Sequence, residues 1–192
     1  MPQHHPAFLT SFSTDASAGT ATWSSPSNAA GSDGSYATVA FSGAANEQSQ
    51  YLVCTGPAFR RAFQSGETPT GITVAIEARD AAGDTYTGSA GIVLAEARLV
   101  VGGVIQTGAA NLAGNDQVGD SSTPERHQIV LGGPDELWGA SLAEADIGSG
   151  LGVALRFECL DATARTLQVD SVRLVAWGTK AAACVVESAG NA

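Results

Sequence analysis

Charge is scarce in this chain. Asp, Glu, Lys and Arg make up 15% of its 192 residues, against roughly 25% in an average soluble protein, and long solvent-facing helices would need more than that. Basic residues are scarcer still: nine Lys and Arg against 19 Asp and Glu leave a formal charge of −10. That balance repels phosphate backbones and anionic lipid headgroups, so neither nucleic acid nor a membrane is an expected partner. The three cysteines, Cys54, Cys159 and Cys184, are an odd number in separate segments, with no CxxC pair and no histidine beside them. They read as buried small side chains rather than zinc ligands, with a disulfide between two of them as the alternative. No run reaches the roughly 18 apolar residues of a membrane helix. Met1–Pro6 shows no basic stretch leading into an apolar one, so synthesis in a cytoplasm without a signal peptide is the expectation.

Catalytic groupings are equally sparse. Histidine is limited to His4, His5 and His127, and no G-x-S-x-G elbow presents a nucleophile to any of them. The His4–His5 pair is read as part of a solvated terminus, since two adjacent ligands with no third make a poor metal site. Gly102-Gly103 and Gly132-Gly133 lack the Lys-Ser/Thr of a phosphate loop and the GxGxxG of a dinucleotide fold, and so punctuate turns. Asp135, Glu136, Glu144 and Asp146 flank Trp138; such a loop either binds Ca²⁺ through its carboxylates or uses them to cap turns. No enzyme activity, cofactor or metal is expected.

Present in abundance are glycine, 23 residues, and short β-rich runs. Gly71–Arg79 alternates Ile72, Val74, Ile76 and Ala78 against Thr73, Ala75, Glu77 and Arg79, and Leu151–Leu160 alternates in the same way. Further strands are predicted over 35–42, 48–55, 104–107, 125–131 and 166–177. The stretch 89–101 reads as one long strand, or two, with a bulge near Glu96-Ala97-Arg98. Residues 108–124 read as a long loop. About eight strands without a 3.6-residue apolar period predict an all-β fold, a single antiparallel β-sandwich of jelly-roll type with an extended N-terminal arm. The expected organisation is an arm at 1–20, a sandwich at 21–178 and a C-terminal tail at 179–192. Trp177 is placed in the core. Trp138 either caps the sandwich edge or faces a ligand, and Trp23 divides in the same way; with Tyr86 they form a candidate partner or glycan surface.

The succession TATWSSPSNAAGSDGSYATVAF, QYLVCTG, GITVAIEAR, GGPDELWGASLAEADIGSGLGVALRFE and LQVDSVRLVAW resembles a family of β-sandwich structural proteins of tailed bacteriophages and prophages. The matching positions are Trp23, Pro26, Asn28-Ala29, Tyr36-Ala37-Thr38, Tyr51-Leu52, Gly71 to Ile76, Leu137-Trp138-Gly139, Asp146, Gly152-Val153 and Val169 to Val172. Leu142 stands where that pattern has a second Trp. The resemblance implies a virion component made in the host cytoplasm, a capsid decoration, neck or tail subunit. It would act through contacts with other virion proteins and form a homo-oligomer, its arm reaching a neighbour. The alternative from the residues is a carbohydrate-binding module for adsorption to a host or surface glycan.

Overall fold

The computed structural model describes residues 3–81, 91–118 and 127–180. In chain order the strands are β1 (Gln3–Phe8), β2 (Ser11–Asp15), β3 (Trp23–Ser24), β4 (Ala37–Phe41), β5 (Glu47–Gln48), β6 (Tyr51–Thr55), β7 (Ala58–Phe59), β8 (Glu67–Asp80), β9 (Ile92–Val101), β10 (Val104–Ile105), β11 (Asp116–Val118), β12 (His127–Gly132), β13 (Gly152–Cys159) and β14 (Arg165–Lys180). Two short 3-10 turns, Pro26–Ala29 and Glu144–Asp146, are the only helical pieces among the described residues.

The strands form two antiparallel sheets. The first runs β12-β8-β14-β1-β7, with β4, and β3 beyond it, sharing with β1 the second edge of the long β14. The second runs β10-β9-β13-β6-β2, with β11 also on β9 and β5 on the end of β13. The principal strands β4, β6, β8, β9, β12, β13 and β14 change sheet at every step, with the short β11 added to the sheet of β9 before the chain crosses to β12. That crossing pattern is the jelly-roll character read from the sequence. Between the sheets pack Ile72, Val74 and Ile76 from β8, Leu155 and Phe157 from β13, and Leu174 from β14, all fully buried.

The expected arm is not an arm. β1 pairs with β14 over its whole length and β2 with β6, so residues 3–15 belong to both sheets, joined through the buried Leu9. Backbone hydrogen bonds drive this pairing and ask little of side-chain type. Pro6 is tolerated because its carbonyl accepts from Arg60 N–H on the β7 side, so its missing donor falls on that edge and not on the β14 ladder. His5 is likewise not solvated: it is fully buried, its Nδ1 donates to the Arg61 carbonyl at 2.9 Å, and its ring lies 4.4 Å from Phe63. Of the expected tail, Thr179 and Lys180 end β14, and the rest lies outside the described residues.

Two bulges decide which side chains face outward. In β9 the pairing with β13 shifts between Glu96 and Leu94, where a bulge near Glu96 was anticipated; Ile92 and Leu94 point inward before it, Ala97 and Leu99 after it. In β14 one shift lies between Val169 and Ser171, and a second, with the extra residue Thr70 on β8, follows between Trp177 and Gly178. Leu167 and Val169 are core before the first; Val172, Leu174 and Ala176 are core after it. One extra residue therefore reverses the alternation and sends Arg173, Val175 and Trp177 to the outer face. Trp177 is thus not a core residue, contrary to its expected place. The long loop expected at 108–124 contains β11, a three-residue strand. Cys54 and Cys159 are buried free thiols, as one reading had them, while Cys184 lies outside the described residues.

Candidate functional site

The candidate surface of Trp23, Tyr86 and Trp138 does not form. Trp23 is buried, donates from Nε1 to the Gln50 carbonyl at 2.8 Å and meets Phe157 edge-on at 6.0 Å. Trp138 is fully buried and donates from Nε1 to the Ile72 carbonyl at 2.9 Å. It holds this place at φ 58°, a left-handed conformation disfavoured for a side chain of this size, which its burial and hydrogen bond offset. Tyr86 lies outside the described residues. Leu142 is buried too, so this loop packs inward.

The carboxylates of the Asp135–Asp146 loop cap turns. Glu136 accepts from Trp138 N–H at 2.6 Å, Glu144 from Gly66 N–H at 3.0 Å and Asp146 from Ala143 N–H at 2.8 Å. Among the described residues no group of three or more His, Cys, Asp and Glu is placed to hold a metal ion. An open depression of about 660 Å³ borders this loop, lined by Leu112, Asp116, Val130, Leu131 and Glu136 among others. The carboxylates of Asp116 and Glu136 already accept backbone N–H groups there.

Two outer faces remain. That of the second sheet carries a closed ionic network: Glu96 accepts from Tyr51 Oη at 2.6 Å, from Arg98 Nε at 2.6 Å and from Arg156 Nε at 3.0 Å. Arg98 also donates to the Ala109 carbonyl, and Arg156 to Gln48. Burial pushes the Glu96 carboxyl up, but the hydrogen bonds from Tyr51, Arg98 and Arg156 together with the Arg156 charge outweigh it and hold it below the usual carboxylate range. Burial, reinforced by the Glu96 hydrogen bond and charge, raises the Tyr51 hydroxyl to about 12. Tyr51 and Glu96 are buried, and each group of the network is answered by another. This arrangement clamps β6, β13 and β9 together and offers little to a ligand.

The outer face of the first sheet is different, because its side chains are open. Register places Phe8, Arg173, Ala75 and Val130 in one row across β1, β14, β8 and β12, and His4 beside Trp177 on β1 and β14. Phe8 is 44% exposed and Val130 58%; Trp177 is half-buried. The indole orientation is set from beneath, Nε1 donating to Thr73 Oγ1 at 2.9 Å, while His4 leans on the ring at 5.7 Å. Two guanidinium groups lie against the Phe8 ring, Arg60 at 5.7 Å and Arg173 at 5.9 Å from its centroid. Beside it is a depression of about 310 Å³ floored by Ala75 and walled by Pro6, Arg60 and Val175. Four residues separate His4 from Phe8, so the two aromatic stations stand roughly 13 Å apart along the strands. None of these residues was singled out from the sequence as a site, yet Arg173 in the odd-numbered phase of β14 was a signal: an arginine does not continue a core face begun by Leu167 and Val169.

No family model and no curated protein matches the chain. Among solved structures it is similar to one described as "CBM4 structure and function", at 16% identity and a TM-score of 0.39, covering 88% of this chain and 92% of that one. It is similar also to a family 29 carbohydrate-binding module from Piromyces equi, at 8% identity and a TM-score of 0.41, covering 91% and 90%. An exo-beta-agarase matches at 13% identity and a TM-score of 0.41, covering 88% of this chain and 24% of the agarase. These likenesses are too distant to assign a ligand or a residue.

Proposed function

We propose that the chain is a carbohydrate-binding β-sandwich module that holds a glycan on the outer face of its first sheet. The observation that carries this reading is Trp177: a partly buried indole on the outer face, fixed by Thr73 and flanked by His4, on a face whose other stations are an exposed Phe8 and two arginines. A pyranose ring presents one apolar face of C–H groups and a rim of hydroxyls. An aromatic platform takes the first, and guanidinium and carboxylate groups at its border, here Arg60, Arg173 and Glu77, take the second. Such a module binds and does not catalyse. The virion reading rests on the sequence resemblance; of what it implies, only the arm reaching a neighbour is touched by the structure, since residues 3–15 are committed to the chain's own sheets.

Affinity electrophoresis through gels containing a panel of plant, algal and bacterial polysaccharides tests the proposal. Wild type should be retarded by at least one of them, and Trp177→Ala should lose at least about tenfold in affinity, equivalent to ~1.4 kcal/mol, with its melting temperature little changed. Retardation equal in wild type and variant, or by no polysaccharide, would refute it.

A further inference from the structure

We infer that the glycan suited to this face is an acidic one, a polysaccharide of uronic acid residues whose carboxylates are read by Arg60 and Arg173. This rests on the reading of the face as a glycan platform and goes beyond it in naming the chemical class. The chain carries only nine cationic side chains against 19 acidic ones, and several of the described cations are held in ion pairs. Arg98 and Arg156 share Glu96 at 2.6 and 2.8 Å, Arg165 binds Asp161 and Asp80 at 2.6 and 3.2 Å, and Arg61 lies 3.7 Å from the buried Glu67.

Arg60 stands outside that pattern, and Arg173, like Arg61, keeps an exposed guanidinium with a carboxylate nearby. Arg60 and Arg173 are both exposed, both lie against the Phe8 ring, and Arg60 makes no ion pair among the described residues, while Arg173 is 3.8 Å from Glu77. Stacking against an aromatic ring orders a guanidinium without consuming its N–H donors. Two such groups against one ring form a positive spot on a strongly negative molecule, where a neutral sugar would need only hydroxyl partners. A uronic acid seated in the depression beside Phe8, which Arg60 and Arg173 both line, has its carboxylate in reach of a guanidinium, whose planar fork matches a carboxylate in two parallel hydrogen bonds.

The test compares polygalacturonate and alginate with neutral dextran and galactomannan, and with dextran sulfate, by affinity electrophoresis and titration calorimetry. Wild type, Arg60→Gln/Arg173→Gln and Phe8→Ala are used, each checked for an unchanged melting temperature. The inference predicts that a uronate polymer binds at least about tenfold tighter than the neutral ones. This advantage should disappear in the double arginine variant, with Phe8→Ala weakening binding as well. Tighter binding to neutral polymers, lost in Trp177→Ala but unaffected by the arginine changes, would overturn the acidic class and leave the platform standing. A preference for dextran sulfate over both uronates would overturn the carboxylate assignment. Binding to none of the polymers would overturn both.

Discussion

Replacing Trp138 by Ala should cost this protein about 3–5 kcal/mol of stability, the range for removing a fully buried tryptophan. Two contributions make up the loss. The indole is fully buried within the core cluster, so truncation leaves a cavity that the surrounding side chains fill only in part. Its Nε1 also satisfies the Ile72 carbonyl, which would be left buried without that donor, at ~1–3 kcal/mol. Trp138→Phe separates the two, since it keeps most of the ring and loses the donor, and should fall in the lower range alone. For a domain of this size each kcal/mol lowers the melting temperature by about 2–4 °C, so Trp138→Ala should melt roughly 6–20 °C below wild type. Urea unfolding followed by far-UV circular dichroism gives the free energy directly. Trp177→Phe, on the outer face, should stay within about 1 kcal/mol of wild type. A Trp138→Ala protein within ~1 kcal/mol of wild type, or a Trp177→Phe protein as damaged as Trp138→Ala, would refute the assignment of the two rings to inside and outside.

Gly71 faces the backbone of the next segment so closely that an added Cβ would lie 2.1 Å from the Gly133 oxygen and 2.5 Å from Pro134 C. Gly71→Ala should therefore lose at least about 2 kcal/mol in urea unfolding, and a neutral result would contradict that close approach. Glu96, held below its ordinary value, contributes stability that is present above the unfolded carboxylate range and lost as pH falls through its folded pKa. Acid unfolding of Glu96→Gln should accordingly show a shallower decline below about pH 4.5 than wild type, and parallel curves would contradict the clamp. At the alkaline end, Tyr51 keeps its contribution below pH ~10 and loses it as pH rises toward about 12, so absorbance titration should show one tyrosine ionising late. Burial pushes both thiols up, Cys159 to about 11, so a Cys184→Ser protein should react with a thiol reagent only after unfolding; prompt reaction of the native protein would place a cysteine at the surface.

The fold was legible where side chains alternate. Gly71–Arg79 and Leu151–Leu160 bury one face against a core, and burial writes a period of two into the sequence. β1 was not legible, because Gln3–Phe8 enters the sheet through its backbone at the open edge of β14, and Pro6 within it reads as a strand breaker unless its free edge is known. β11 is three residues in a polar stretch and owes its place to the bulged β9 beside it. The site was less legible than the fold. Trp23 and Trp138 sit among Ser, Pro and Gly, the composition of an exposed loop, yet each finds a backbone carbonyl far along the chain for its indole N–H, Gln50 for Trp23 and Ile72 of β8 for Trp138. Trp177 was misplaced for a local reason: the single extra residue near Asp170 turns its face outward, and only the intrusion of Arg173 betrays the change of phase.

Tryptophan fluorescence quenching by acrylamide, with and without a retarding polysaccharide, tests the central claim most directly. With Trp23 and Trp138 buried and Trp177 partly exposed, the free protein should show one quenchable tryptophan, absent in Trp177→Phe, and saturating glycan should protect it. A quenchable Trp177 that the glycan leaves as accessible as before would contradict the assignment of this face to carbohydrate.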